Sequence, residues 1–224
     1  MRKHRRVLTT CSLACVALVT ALLATWLSAI VEDGGVPSPA PIAEEDGPER
    51  RQIDWDSLPD SVVAWVEVPG TRIDEPIVQA SPDAPNAYLY EDAMGQGAYG
   101  TPYIDCECSL DSPFVMVYGH HMSDGSAFAD FASFIDEAYA NEHKRIIVYE
   151  RTGEIHDLDV VAVDVVNASR EKLKIPQEEE FDERIATCDL VLQDAVDADR
   201  LWAFTTCSYQ TWNSRTTVFA ANLN

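Results

Sequence analysis

The sequence predicts a mainly β domain, a closed or nearly closed barrel or sandwich, held behind one apolar N-terminal segment. Three observations carry that expectation. Short β-prone runs recur from Val62 to Ala221, punctuated by Gly, Pro, Asn and Asp, the pattern of strands joined by tight turns. Long helical patterns are few, which disfavours a sheet covered by helices. Val7 to Val31 holds 25 residues without a charge, and about 20 apolar residues suffice to cross a bilayer.

Residues 1–6 carry four Lys/Arg, and a basic flank stays cytoplasmic, so 7–31 reads as an uncleaved transmembrane signal anchor with the rest of the chain outside the cell. The run exceeds the roughly 7–15 apolar residues of a cleaved signal peptide, and no small-x-small cleavage pattern lies near its end. Residues 32–51, with Gly34-Gly35, four prolines and Glu44-Glu45-Asp46, read as a solvated extracellular linker. One domain, 52–224, follows.

Within it, Asp54 is placed to cap a short helix at Trp55. Val62–Val68 and Ile73–Val78 read as strands around the turn Pro69-Gly70-Thr71, with Pro76 marking an edge or bulge. A helical turn is expected over 83–90, and short strands over Thr101–Asp105 and Phe114–Tyr118. Phe128, Phe131, Phe134 and Ile135 recur at helical spacing and are core candidates in one or two helices over 126–139. Arg145–Glu150 and Ile155–Val166 flank the turn at Thr152-Gly153, Glu178–Ala186 is a charged helix or loop, and Leu201–Thr206 and Thr216–Ala221 are the last strands.

All 38 acidic residues lie after Val31, against 12 of the 16 Lys/Arg. So acidic a domain repels phosphate backbones, which argues against nucleic acid as a partner. Of six cysteines, Cys11 and Cys15 fall in the apolar span, while Cys106, Cys108, Cys188 and Cys207 lie beyond it. Their spacing does not match a paired-ligand zinc pattern. In an oxidising compartment a disulfide from Cys188 to either Cys106 or Cys108 stays open.

The chemistry concentrates near the C-terminus. Trp202-Ala203-Phe204-Thr205-Thr206 leads to Cys207, a loop of seven residues follows, and Arg215 opens the next β-prone run. Adjacent strands joined this way bring a thiol and a guanidinium together, and a nearby cation favours the thiolate, the nucleophilic form. The acid or base such a pair needs is offered by His120 in Val117-Tyr118-Gly119-His120-His121-Met122.

Three segments in order make nearly all of 54–222 resemble the sortases, class B in particular. They are Val63-Ala64-Trp65-Val66-Glu67-Val68-Pro69-Gly70-Thr71 running on to Gln79, Tyr118-Gly119-His120-His121-Met122 with Asp124-Gly125-Ser126-Ala127-Phe128, and Phe204-Thr205-Thr206-Cys207 with Arg215. The resemblance implies a closed β-barrel of about eight strands and cysteine transpeptidation at a bacterial surface. Its substrates would be secreted proteins with a C-terminal sorting motif, cut after Thr. The acceptor would be an amine on a peptidoglycan precursor or a pilin. Carried over, Cys207 is the nucleophile, His120 the general acid/base and Arg215 the group steadying the substrate oxyanion, with no cofactor and no metal. Ser208 and Tyr209, next after the nucleophile, are candidates to touch substrate.

The chain departs from the family signature at Ala203 and Phe204, where Thr and Leu are usual, which implies altered packing before the nucleophile. His121 is expected at the surface or behind His120, His143 and His156 as exposed structural residues, and Asp105 and Cys108 without a catalytic role. Two other functions compete: a catalytically silent peptide-binding or adhesion module on the same barrel, and another Cys/His acyl-transfer enzyme of the cell wall. The co-occurrence of Cys207, His120 and Arg215 disfavours the first. The lack of a Ser-His-Gly-Cys run disfavours an L,D-transpeptidase.

Overall fold

A computed structural model describes residues 51–96, 99–169, 175–193, 198–208 and 212–223. The expected membrane anchor, nearly all of the linker and Tyr209 lie outside the described residues. Among those described, no helix is long and apolar enough to cross a membrane.

Nine strands are present among the described residues: β1 (Val62–Glu67), β2 (Asp74–Gln79), β3 (Tyr103–Ile104), β4 (Phe114–Gly119), β5 (Arg145–Glu150), β6 (Ile155–Asn167), β7 (Leu190–Val191), β8 (Leu201–Ser208) and β9 (Ser214–Ala221). They pair in the order β5-β1-β2-β3-β4-β8-β9-β6, and β6 pairs back onto β5. That closes an eight-stranded ring, which leaves the ring strands no open edge. The long β6 permits it, because Ile155–Asp159 pairs with β5 while Asp159–Asn167 pairs with β9. β7 is a ninth strand appended to β6 at Ala162 and Val163. Two helices, α1 (Glu137–Glu142) and α2 (Phe181–Ala186), and short 3₁₀ turns fill the connections.

Alternation explains the strands. Val62, Ala64 and Val66 of β1 are buried while Val63, Trp65 and Glu67 are partly exposed, the period-two pattern of a sheet with one face inward. The barrel interior is aromatic: Phe128, Phe131, Phe134, Trp202, Phe204 and Phe219 are essentially fully buried. Phe204 sits in a stack, 5.3 Å from Phe131 and 6.0 Å from Trp202 between ring centres, with interplanar angles of 16° and 8°. The 3₁₀ helix Ala129–Ile135 delivers Phe131 and Phe134 to that core.

Several local expectations are refined. Asp54 does not cap with its side chain; Ser57 Oγ instead donates to the Asp54 carbonyl. Pro76 sits opposite Trp65 of β1, and β3 joins β2 only at Val78 and Gln79, so the missing N–H falls where β2 has no second neighbour. The register slip lies at the start of β1, between Val62 and Ala64. β8 runs through Cys207 to Ser208 and β9 begins at Ser214. Cys106, Cys108, Cys188 and Cys207 are free thiols, so Cys188 is bridged to neither Cys106 nor Cys108. Burial, more than any neighbouring charge, pushes the Cys188 thiol up to about 12, which keeps it protonated and inert near neutral pH.

Candidate active site

Strand register assembles the site. β8 and β9 are antiparallel with Cys207 directly opposite Arg215, and directly opposed residues project to the same face with Cβ atoms about 5 Å apart. β4 lies parallel to β8 on its other side, pairing Tyr118 with Thr205 and Gly119 with Thr206. One residue further on, His120 comes level with Cys207. Residues 87 positions apart in the chain thus meet at one end of three neighbouring strands.

Cys207, Arg215 and His120 line one pocket of about 310 Å³. Tyr88, Leu89 and Thr101 form its outer wall, and Tyr103, Asp105, Tyr118, Thr205 and Thr206 its floor and side. Cys207 is the partly exposed residue in an otherwise buried strand. The Arg215 guanidinium bonds the Asn213 side chain at 3.3 Å and the Ser214 carbonyl at 3.2 Å. Asn213 itself adopts a left-handed conformation, φ 56°, a turn geometry Asn tolerates better than most residues.

Both histidines of the pair are committed. His120 Nε2 bonds the Leu89 carbonyl; a carbonyl only accepts, so this nitrogen carries the proton and the tautomer is set. His121 Nδ1 donates to the Cys207 carbonyl at 2.8 Å. Strict strand alternation would have sent these neighbours to opposite sides, but β4 ends at Gly119. The chain then turns back, bridging His121 to Ala127. His121 is therefore tied to the backbone of Cys207 itself.

Two glycines make room for side chains at the site, Gly119 for Phe128 and Gly100 for His120. A Cβ on Gly119 would lie 2.3 Å from the Phe128 ring, and one on Gly100, at φ +67°, would lie 2.6 Å from the His120 ring. Phe128 is fully buried and stacks edge-on to Phe131, so it has no free space to enter. We expect Gly119→Ala to cost about 1–3 kcal/mol, as overpacked cores do, measured by denaturant unfolding. Wild-type stability in that variant would mean the Phe128 side chain is not confined.

Tyr118 and Asp105 are site residues that sequence reasoning passed over or set aside. Burial first, then the adjacent Asp105 carboxylate, pushes the Tyr118 phenol well above its ordinary range, so it stays a neutral O–H donor on the pocket floor. Tyr103 packs on it at 5.5 Å. Tyr118 stands two residues before His120 and both line the pocket; the sequence reading ended a strand at Tyr118, where alternation would have placed the two on one face had the strand run on. The Leu89 carbonyl had no such signal. Ser208, expected to touch substrate, is instead 3% exposed, its hydroxyl donating to Ser214 Oγ at 3.1 Å. The same alternation that presents Cys207 turns Ser208 away, making it a tie between β8 and β9. His143 is partly exposed, as expected, but His156 is buried.

A closed eight-stranded barrel with a Cys, a His and an Arg on three adjacent strand ends is the arrangement that the sequence resemblance implies. No family model matches the chain. Sortase B of Listeria monocytogenes is 28% identical over 123 residues, which cover 53% of this chain and 48% of that protein. The chain thus aligns with about half the length of the curated relative it matches. The X-ray structure of Clostridium perfringens sortase B superposes with a TM-score of 0.62 at 26% identity, covering 73% of this chain and 94% of that one. A Streptococcus pyogenes class B sortase involved in pilus biogenesis superposes with a TM-score of 0.64 at 22% identity, covering 75% and 97%; at that identity the likeness is one of fold. The chain is thus similar to class B sortases, in sequence over about half its length and in fold over about three quarters.

Proposed function

We propose that this protein is a membrane-anchored cysteine transpeptidase, held by residues 7–31 with its catalytic domain outside the cell. It cleaves the C-terminal sorting motif of secreted proteins after Thr and passes the acyl group to an amine of the cell wall or a pilin. The observation that carries the reading is the meeting of Cys207, Arg215 and His120 in one pocket. The sequence likeness to sortase B supports it.

In this reading the Cys207 thiolate attacks the Thr carbonyl carbon and the oxygen becomes an oxyanion. Arg215, turning from Asn213, places N–H donors on that oxyanion. The C–N bond then breaks, and the departing amine takes a proton from His120, leaving a thioester on Cys207. The Leu89 carbonyl holds Nε2–H, so Nδ1 is the nitrogen that exchanges protons. An acceptor amine next attacks the thioester, gives its proton back to His120 and expels the Cys207 thiolate. The walls of the pocket, Tyr88, Leu89 and Thr101 among them, limit water at the thioester until the amine arrives.

The test is a panel of sorting-motif peptides incubated with the full chain, with intact-protein mass detection. A thioester adduct that maps to Cys207, and that an added amine discharges, is the expected result. If no peptide in a panel varied at every motif position yields an adduct, transpeptidation is refuted, and a peptide-binding module remains.

A further inference from the structure

The opposite end of the barrel holds a second cluster of reactive side chains. Five residues before Cys207 on β8 stands Trp202, so about 17 Å of strand separates the two ends. At Trp202's end the β5–β6 hairpin turns through Arg151-Thr152-Gly153, with Gly153 at φ +96°, and Glu150 N–H donates to the Glu154 carbonyl at 2.8 Å. The turn brings one ligand atom each from Glu150, Glu154 and His156 within 4.8 Å of one another. His156 Nε2 is 2.7 Å from Glu150 Oε1 and 3.7 Å from Glu154 Oε1.

We propose that Glu150, Glu154 and His156 form a binding site for a zinc-class divalent cation that clamps the hairpin closing the barrel. Two ligands on a tetrahedral zinc lie roughly 3.3 Å apart, and the distances from the His156 nitrogen fall on either side of that value. Imidazole with two carboxylates suits first-row divalent metals better than magnesium or calcium, which prefer all-oxygen shells. The set is preorganised: Glu150 is 6% exposed and His156 8%. Thr152 Oγ1 donates to the other Glu150 oxygen at 2.8 Å, the kind of outer contact that orients a metal-binding carboxylate.

Two further observations point to a ligand. Glu154 and His156 border a pocket of about 290 Å³, whose wall also carries Asp199, Arg200, Trp202 and Asn222. That leaves space for a fourth donor, either Asp199 or water. Trp202, fully buried beside His156, has an indole N–H without a partner among the described residues; the metal itself cannot accept from it, and the acceptor it calls for is a water or anion completing the metal's shell. Arg200 is the opposing charge on the wall, against carboxylates from Glu150, Glu154 and Asp199. A metal here bridges β5 to β6, the pairing that completes the ring, so its effect is on stability.

Zinc titration of the full chain in detergent by calorimetry is expected to give one saturable site and a higher unfolding midpoint. Glu154→Ala, a change at an exposed position that leaves the fold intact, weakens zinc binding at least ~10-fold. Cobalt substituted for zinc gives a visible d–d spectrum without the intense near-ultraviolet band of thiolate ligation. Absence of a 1:1 site in the wild-type chain, or unchanged affinity in Glu154→Ala, overturns the proposal and leaves a hydrogen-bonded Glu150–His156 pair. Binding lost in Cys207→Ala and retained in Glu154→Ala overturns it too, by placing the metal on the thiol.

Discussion

Under the proposed function, Cys207→Ala is expected to abolish acyl transfer, with a loss of at least ~10³-fold in turnover, and to leave the unfolding midpoint near the wild-type value. The asymmetry follows from where the thiol sits. It is the partly exposed residue of β8, facing a pocket, while its strand neighbours are buried on both sides. Removing the sulfur takes away the atom on which the acyl group would reside but little packed surface. The backbone at 207 keeps its anchor, because His121 bonds the carbonyl of that residue and not its side chain. The measurement is turnover of a responsive peptide beside a chemical denaturation curve of the same preparation. Transfer within tenfold of wild type would move the nucleophile elsewhere, and an unfolded variant would mean Cys207 is a packing residue.

The largest effect on stability is expected at Phe204. It is fully buried and stacks between Phe131 and Trp202, with Phe128 edge-on at 6.3 Å. Phe204→Ala should cost about 3–5 kcal/mol, the transfer free energy of the ring plus the cavity it leaves. Phe204→Leu, which places there the residue usual in the sortase signature that this stretch resembles, should cost less but not nothing. Phe131 reaches the stack from a separate 3₁₀ helix, and that helix is placed for a ring. Equilibrium urea unfolding distinguishes the two variants. Equal stabilities would mean the core relaxes around a lost ring and that the stack contributes little.

The strands were legible in the sequence because their evidence is local. β1, β4, β5 and β6 follow from apolar runs bounded by turn residues, and their ends match the sequence reading to within a residue or so. β7 was not, since two residues cannot display a period. Cys207, Arg215 and His120 could be named from residue type and order, and barrel closure then brings them to one pocket. What decided the rest was register and chain reversal. Ser208 turns inward because it follows Cys207 on a continuing strand, where the sequence reading had ended the strand at Thr206. His121 reaches Cys207 because β4 stops one residue before His120. The Leu89 carbonyl and the grouping of Glu150, Glu154 and His156 depend on tertiary approach and on a hairpin turn, and neither has a periodic or compositional trace.

The parallel pairing of β4 with β8 has a consequence for timing. Strands running the same way cannot be joined by a tight turn, and here more than eighty residues intervene. Closing so long a loop carries an entropic penalty that must be met before the pairing is rewarded, which makes such contacts slow to form. While the chain folds, the thiol of Cys207 and the imidazole of His120 therefore stay apart until β4 and β8 have paired. Under the proposed function, a half-folded chain would have no competent centre with which to capture a passing peptide.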